Sequence, residues 1–466
     1  MVNNLRWCAV SLSEVVGRGK RIEASVYDVE AKNARETIEK GKYPVSSVGG
    51  EKGYCEAYTC GRFKRIWLKH SDYPIFQPSS ITDVYPVPDG YLSRLTNTDF
   101  DKLRVHKGQI LLTCSGTLGN ISLVSDKLDN QIISHDLLRL TCKDVRDVGY
   151  VYTYLKSEIG KKLLVTNQYG AVISHIEAGH LKDVPIPDAP REIKDRIGNL
   201  INKSYELRDI SNRLIDDATA TLKKELQLPP IETFESMDDS GAYNVKLSSL
   251  HSRFDGSYHI PIVNRIVEHL KKYSKEVTTL GDERISSKII LAGIFKRTYV
   301  GKDYGYPFLG GKEICQLMPD TEKYLSKSVH KARYEKELKV EKNTILVTDR
   351  GTVGTTVMVP KHWNGYAVSQ NVLKLVPASE SIAGYIYAYL NSEVGKVLLT
   401  RQTYGSVVDM INDNNLAEVE IPLLKNKSAQ EMINKLVLDA NEKRYEAYCK
   451  EREALEILTN EVLCTE

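Results

Sequence analysis

No apolar run in this 466-residue sequence can cross a bilayer. The longest, Ile289–Phe295, falls far short of the roughly 20 residues a spanning helix needs. The first residues, Met-Val-Asn-Asn-Leu-Arg-Trp, hold no apolar core of a secretory signal, and the two observations set the expectation of a cytoplasmic location. There is no Gly-x-x-x-x-Gly-Lys-Ser/Thr loop and no Gly-x-Gly-x-x-Gly after a strand, so no motif cradles a nucleotide phosphate. His-Glu-x-x-His and the Asn-Pro-Pro-aromatic motif of amino-methyltransferases are also missing. The eight cysteines are scattered, without a Cys-x-x-Cys pair. Cys55 and Cys60 look like half a metal site with no second half, so free thiols and no metal are expected. Neither sign of charge dominates, with 64 Lys and Arg against 61 Asp and Glu and a net charge of +3. Affinity for a polyanion must then come from where the charges lie.

What the sequence does have is a near-copy of itself. Gly116-Thr-Leu-Gly119 returns as Gly351-Thr-Val-Gly354, Gly149-Tyr150 as Gly384-Tyr385, Tyr169-Gly170 as Tyr404-Gly405 and Ile186-Pro187 as Ile421-Pro422, all 235 positions on. Earlier parts repeat at a spacing of 232: Arg21-Ile-Glu-Ala-Ser25 as Arg253-Phe-Asp-Gly-Ser257, and Gly61-Arg-Phe-Lys-Arg-Ile-Trp67 as Gly293-Ile-Phe-Lys-Arg-Thr-Tyr299. So long a period marks a duplicated domain, since solenoid units run to about 20–50 residues. Two similar domains present two similar surfaces, which suits a ligand with its own approximate two-fold, such as a DNA duplex.

Within each copy, glycine punctuates β-branched runs, which reads as strand, turn, strand at Ile110–Thr113 and Ile345–Thr348. Tyr150–Leu164 and Tyr385–Leu399 have apolar residues at helical spacing and are predicted to be one helix each. Pro190–Leu228 then carries a long amphipathic stripe without internal proline, and Ser428–Val462 does the same. The simplest burial for two such stripes is against each other, as a coiled-coil pair. The expected organisation is a domain over 1–189, a spacer helix over 190–228, a second domain over 229–424 and a second spacer helix over 425–466.

Candidate chemistry is sparse. Asp320-Thr-Glu-Lys323 packs its acids too tightly for a nuclease metal site, and Gly310-Gly-Lys312 reads as a turn. His135 and His175 become Gln370 and Met410 in the second copy, which argues against a catalytic pair. The Phe-Lys-Arg element stands out, because basic residues beside aromatic ones can lie along phosphates or over base edges. Read as a strand, it puts Phe63, Arg65 and Trp67 on one face and Arg62, Lys64 and Ile66 on the other. A solvated edge strand protected by its charges gives the same pattern. The candidate DNA-contacting residues are Arg62, Lys64, Arg65, Trp67, Lys296, Arg297, Tyr299 and Arg350, with Arg350 equally able to pair with Asp349. No catalytic or metal-ligating residue is assigned.

The ordered set of motifs, met twice, resembles the specificity subunit of type I restriction-modification systems. The resemblance implies an α+β fold: two pseudo-repeated mixed α/β target recognition domains, separated by a pair of long antiparallel coiled-coil helices. It implies a non-catalytic, DNA-binding role in which each domain reads half of a bipartite double-stranded site. The helices would set the spacer and dock two modification (methyltransferase) subunits. By the same resemblance S-adenosylmethionine belongs to the modification partner, ATP and Mg to the restriction subunits, and no cofactor to this chain. Cys114-Ser115 stands where Asp349-Arg350 stands in the second copy, a departure that puts a shared role for that turn in doubt. The specificity chain of a type II system with a fused methylase and nuclease, and a standalone DNA-acting enzyme, are the alternative readings.

Overall fold

A computed structural model of the chain describes residues 9–17, 20, 22, 24–116, 118–166, 175–235, 242–250, 253–319, 323–405 and 407–464. The chain divides into two units, one made of Met1–Asp209 with Glu446–Glu466 and the other of Ile210–Tyr445. Each unit mixes helices with small, mainly antiparallel sheets, so the class is α+β.

Unit 1 opens with helices α1 (Leu12–Gly17) and α2 (Val29–Glu39). A first sheet pairs β1 (Val45–Ser47) with β10 (Pro185–Pro187). A second has the order β2 (Cys55–Tyr58), β9 (Leu137–Cys142), β6 (Gln109–Thr113), β7 (Ile121–Leu123). The third runs β3 (Trp67–Leu68), β5 (Gly90–Leu92), β4 (Pro74–Phe76), β8 (Ile132–Ile133), the last pair parallel. Helix α3 (Phe100–Leu103) follows β5, and α4 (Val148–Lys156) and α5 (Glu158–Val165) follow β9.

Unit 2 repeats this plan after α7 (Pro261–Tyr273). Strand β11 (Glu276–Thr279) pairs with β19 (Glu420–Leu423). The next sheet is β12 (Ser286–Ile290), β18 (Val372–Pro377), β15 (Ile345–Thr348), β16 (Thr356–Met358). The third is β14 (Tyr324–Ser326), β13 (Gly305–Leu309), β17 (Ala367–Val368), and α8 (Lys327–Arg333) springs directly from β14. Helices α9 (Glu380–Asn391), α10 (Glu393–Arg401) and α11 (Asp413–Ala417) complete the globular part.

Several bonds recur in both copies. Tyr150 Oη donates to the Pro187 carbonyl at 2.6 Å, and Tyr385 Oη to that of Pro422 at 2.5 Å. Ser115 bridges His175 as Arg350 bridges Met410, and Arg104 bridges Ile132 as Lys339 bridges Ala367. In the Gly-Thr-x-Gly turns, Gly119 and Gly354 take φ of +82° and +86°, a region a side chain would strain.

The single helix expected over Tyr150–Leu164, and its counterpart, is in fact two. Ser157 and Ser392 have extended backbones, and each accepts from the amide three residues on, Gly160 or Gly395, at 3.1 Å. A serine N-cap restarts the helix in a new direction while the apolar spacing runs through unbroken.

The two long helices are α6 (Arg191–Glu225) and α12 (Lys427–Ile457). In unit 1 they run antiparallel: Arg196 pairs with Glu461 at 2.8 Å, and Ser204 Oγ donates to the Ala447 carbonyl at 2.9 Å. A fully buried small residue recurs every seventh position, at Ser204, Ser211 and Ala218 on α6 and at Ala440, Ala447 and Ala454 on α12. This is the heptad seam of a coiled coil, narrowed by the small side chains.

Unit 1 buries a charge cluster against this seam. Glu451 is 1% exposed; it accepts from Tyr152 Oη at 2.7 Å, pairs with Arg208, and lies 3.6 Å from Lys156 Nζ. Burial alone would raise its pKa, but the charges of Arg208 and Lys156 outweigh that and hold the carboxyl below its usual value. Unit 2 has Arg444 donating to Ser211 Oγ at 3.1 Å.

Candidate nucleic-acid interface

The Gly-x-Phe-Lys-Arg segments occupy the free edge of the third sheet in each unit. In unit 1 the ladder begins where the Ser93 amide donates to the Ile66 carbonyl at 2.8 Å, and Trp67 then sits opposite Leu92. In unit 2 the Ser326 amide donates to the Thr298 carbonyl at 2.9 Å, and Tyr299 sits opposite Leu325. Before these points the chain is outside any strand, so Gly61–Ile66 and Gly293–Thr298 are lead-ins and not the strands expected. No neighbouring strand offers them a ladder, and the aromatic rings hold them instead. Phe63 meets the edge of His135 and Phe295 that of His330, both with ring centres 5.3 Å apart. Burial depresses the pKa of both imidazoles.

The expected alternation survives as far as the arginine. Phe63 and Arg65 are half-buried while Arg62, Lys64 and Ile66 are exposed; Phe295 and Arg297 are half-buried while Lys296 and Thr298 are exposed. Trp67 departs from the pattern, since it is 49% exposed although it follows the half-buried face, and Tyr299 is similarly open at 45%. The Trp67 ring lies against Gly90, where a Cβ would come within 2.7 Å of it.

The eight candidates are not equivalent. Arg62, Lys64 and Lys296 extend into solvent with no ion-pair partner among the described residues. Arg65 is tied down, donating to Ser134 Oγ at 3.0 Å and to Asp136 at 3.3 Å. Its counterpart Arg297 has no ion pair among the described residues; Asn371 stands at the position of Asp136, and the guanidinium rests 5.4 Å from the Phe308 ring. Arg350 pairs with the buried Asp349 at 2.7 Å, which raises the arginine's pKa. That partner was the alternative reading of Arg350. Thr117 of the first Gly-Thr-x-Gly turn, Tyr169-Gly170, and Arg21 and Glu23 of the first domain-start motif lie outside the described residues. In the second such motif Arg253 pairs with Asp255 at 2.7 Å and donates to the Thr403 carbonyl at 2.8 Å, a structural clasp.

Two residues escaped the sequence reading. The serines that start the two ladders are each followed by an exposed base, Arg94 in unit 1 and Lys327 in unit 2. Arg94-Leu95 and Lys327-Ser328 share no motif, so only the hydrogen-bond register aligns them. On the other side of the first lead-in, Arg62 and Lys102 flank an open groove of about 490 Å³.

Each unit also holds a buried cation at the same place on its second sheet. Arg139 donates to the carbonyls of Leu103, Ile133, Ser134 and Leu137 at 2.9–3.4 Å. Lys374, its counterpart, donates to that of Lys339 alone at 2.9 Å, and burial lowers its pKa to about 8. The suspected half metal site comes apart: Cys55 faces Cys142 with sulfurs 2.8 Å apart, and Cys60 bonds the Lys102 carbonyl.

The surface gathers cations, half-exposed aromatic rings and hydroxyls, groups that hold a polyanion and stack on flat rings. It is more basic in unit 2, with ten Lys and Arg against six Asp and Glu over Leu291–Val340, than in unit 1, with seven against five over Gly61–Val105.

Residues 294–439 match the family model described as the type I restriction modification DNA specificity domain. No curated protein matches the chain. Among solved structures it is similar to the S subunit of a type I restriction-modification system from M. genitalium, at 16% identity over 91% of this chain and 95% of that one, with a TM-score of 0.33. A chain from a structural study of the assembly and conformational transition of the type I R-M system is 16% identical over 90% and 97%, with a TM-score of 0.28. The HsdS subunit from Thermoanaerobacter tengcongensis is 15% identical over 88% and 98%, with a TM-score of 0.27.

Proposed function

We propose that this chain, which carries a type I restriction modification DNA specificity domain over residues 294–439, is the addressing subunit of a type I restriction-modification complex. Each unit reads one half of a bipartite duplex site, and the paired helices set the unread spacer and dock two modification subunits. Methyl transfer with S-adenosylmethionine, and cleavage driven by ATP and Mg, belong to the modification and restriction partners. The observation that carries the reading is the duplicated lead-in. Lys64 and Lys296 stand exposed at matching places beside a half-exposed aromatic ring in each unit. Arg62, Trp67, Arg297 and Tyr299 complete the two surfaces, while Arg65 and Arg350 act through Asp136 and Asp349 as positioning groups. Two modules joined on one spacer gain affinity through effective concentration when the half-site spacing matches.

The test maps methylated adenines by long-read sequencing in cells that express the chain with its modification partner, and again without the chain. A bipartite motif should vanish on removal. Replacing Lys64 and Arg65 by alanine should relax one half of that motif, and replacing Lys296 and Arg297 the other. Equal loss at both halves from either pair refutes the assignment of one half-site to each unit.

A further inference from the structure

We propose that helix α8 is the base-reading element of unit 2, lying in the major groove with Ser328, Val329 and Lys331 on the base edges and Lys327 on the adjoining phosphate. The inference rests on the DNA-reading function above and names the part of the surface that gives one half-site its sequence.

The helix is built into the candidate surface. It continues β14 without a break, and its first residue, Lys327, follows the serine that pairs with the lead-in. His330 Nε2 accepts from the Thr298 amide at 3.2 Å, the same imidazole packs on Phe295, and Arg333 donates to the Gly293 carbonyl at 3.1 Å. The helix and the Lys296-Arg297 segment are therefore held as one rigid body. One face of the helix is buried through His330 and, one turn on, Tyr334, whose ring stacks on Tyr306 with centres 3.6 Å apart.

The opposite face is open and chemically mixed. Lys327, Ser328, Val329 and Lys331 are all exposed, Val329 to 60%. At about 3.6 residues per turn Ser328 and Ala332 point away from His330 and Tyr334, with Val329 on one flank of that open arc and Lys331 on the other. An apolar side chain left open on an arc it shares with a lysine and a hydroxyl is out of place on a surface that binds phosphate alone. It fits a major-groove edge, where the thymine methyl takes an apolar contact, guanine N7 and O6 take a lysine, and a hydroxyl serves either donor or acceptor. An α-helix is the element that the major groove admits. The charge is complementary to that occupant: Lys327, Lys331 and Lys296 lie on the same segment pair, and of the two acids that follow, Glu337 is taken up by Arg333 while Glu335 stands exposed one turn beyond Lys331.

Unit 1 shows what the helix replaces. There the same serine accepts from Leu95, two residues on, at 3.1 Å and closes a turn, whereas Ser326 accepts from Val329, three residues on, at 3.4 Å and caps α8. The segments converge again at Arg104 and Lys339, which bridge equivalent strands. The shared sheet thus continues into a turn, Arg94–Asp99, followed by the short α3 in one unit and directly into α8 in the other, so the two half-sites are read by different elements.

The experiment uses the chain assembled with its modification partner and scores methylation across a duplex library randomised in both half-sites. Lys331→Ala should lower discrimination at one position of one half-site by roughly tenfold or more, and Val329→Asn should alter preference at a neighbouring position, with the other half-site unchanged. Ser328→Ala, a smaller change on the same open face, serves as the second variant if either of these lowers the melting temperature. Lys296→Ala with Arg297→Ala is run alongside. If that control relaxes its half-site while every α8 variant keeps full discrimination, the helix is not the reader and the inference falls with the DNA-reading function intact. If neither the control nor the α8 variants change any half-site, the DNA-reading function falls too.

Discussion

The third sheets of the two units share their strand pairings and lead-ins but neutralise their arginines differently. In unit 1 Asp136 takes Arg65 out of play as a free cation, while in unit 2 Asn371 stands at that place and Arg297 has no ion pair among the described residues. The buried cation of the sheet differs in the same sense, with Arg139 bound to four carbonyls and Lys374 to one. Unit 1 therefore uses its arginines to hold the loop that carries Ser134 and Asp136, and unit 2 keeps more charge at the surface. A duplicated scaffold has kept its backbone register while exchanging structural for exposed charge, which is how two copies of one domain can come to prefer different ligands.

The largest expected effect is on the buried Glu451–Arg208 cluster of unit 1. Glu451→Ala should cost about 3–5 kcal/mol of stability, because Arg208 is left charged and buried without a partner, and urea unfolding measures the loss. The pH dependence follows from the lowered pKa. The stabilisation by Glu451 is complete above the unfolded carboxyl value near ~4.3 and is lost as the pH falls through the lower folded value, so acid unfolding of E451Q should lack that component. Next, Arg139→Met should cost roughly 3 kcal/mol or more through the carbonyls it strands, whereas Lys374→Met should be nearly neutral, because a lone buried lysine with one bond repays little of its desolvation. Equal losses in the two melting curves would erase the contrast between the buried cations. Smaller still is the salt response of binding. Arg297→Ala should lower the slope of log affinity against log salt by about 0.9 if the guanidinium meets one phosphate, and Arg65→Ala should leave it nearly unchanged. Smallest, Asp136→Asn should release Arg65 and make unit 1 resemble unit 2, with a gain in affinity on the order of 1 kcal/mol or less for this partly exposed pair, seen in titrations at low salt.

Much of this organisation was legible in the sequence, because glycine and proline punctuation and a constant offset survive divergence. The matching turns, the Ile-Pro strands and the two long helices all lie where the repeat placed them. The break at Ser157 was not legible, since apolar spacing continues across it and only the serine's bond to Gly160 betrays the turn. The lead-ins read as strands because their side chains alternate between buried and exposed, though they lie outside any strand. Arg94 and Lys327 were missed because cross-strand register joins residues far apart in sequence. Glu451 was missed for the same reason, its partner Arg208 being 243 positions away.

That distance bears on how the protein is made. The core of unit 1 includes Ala454, Leu458 and Val462 as well as residues from its first two hundred. A chain emerging from the ribosome at about 5–20 residues per second completes all of unit 2 before those residues appear. The unit synthesised first is the one finished last. For the tens of seconds between, the apolar stripe of α6 within it stays uncovered by α12, a window in which a chaperone would find it.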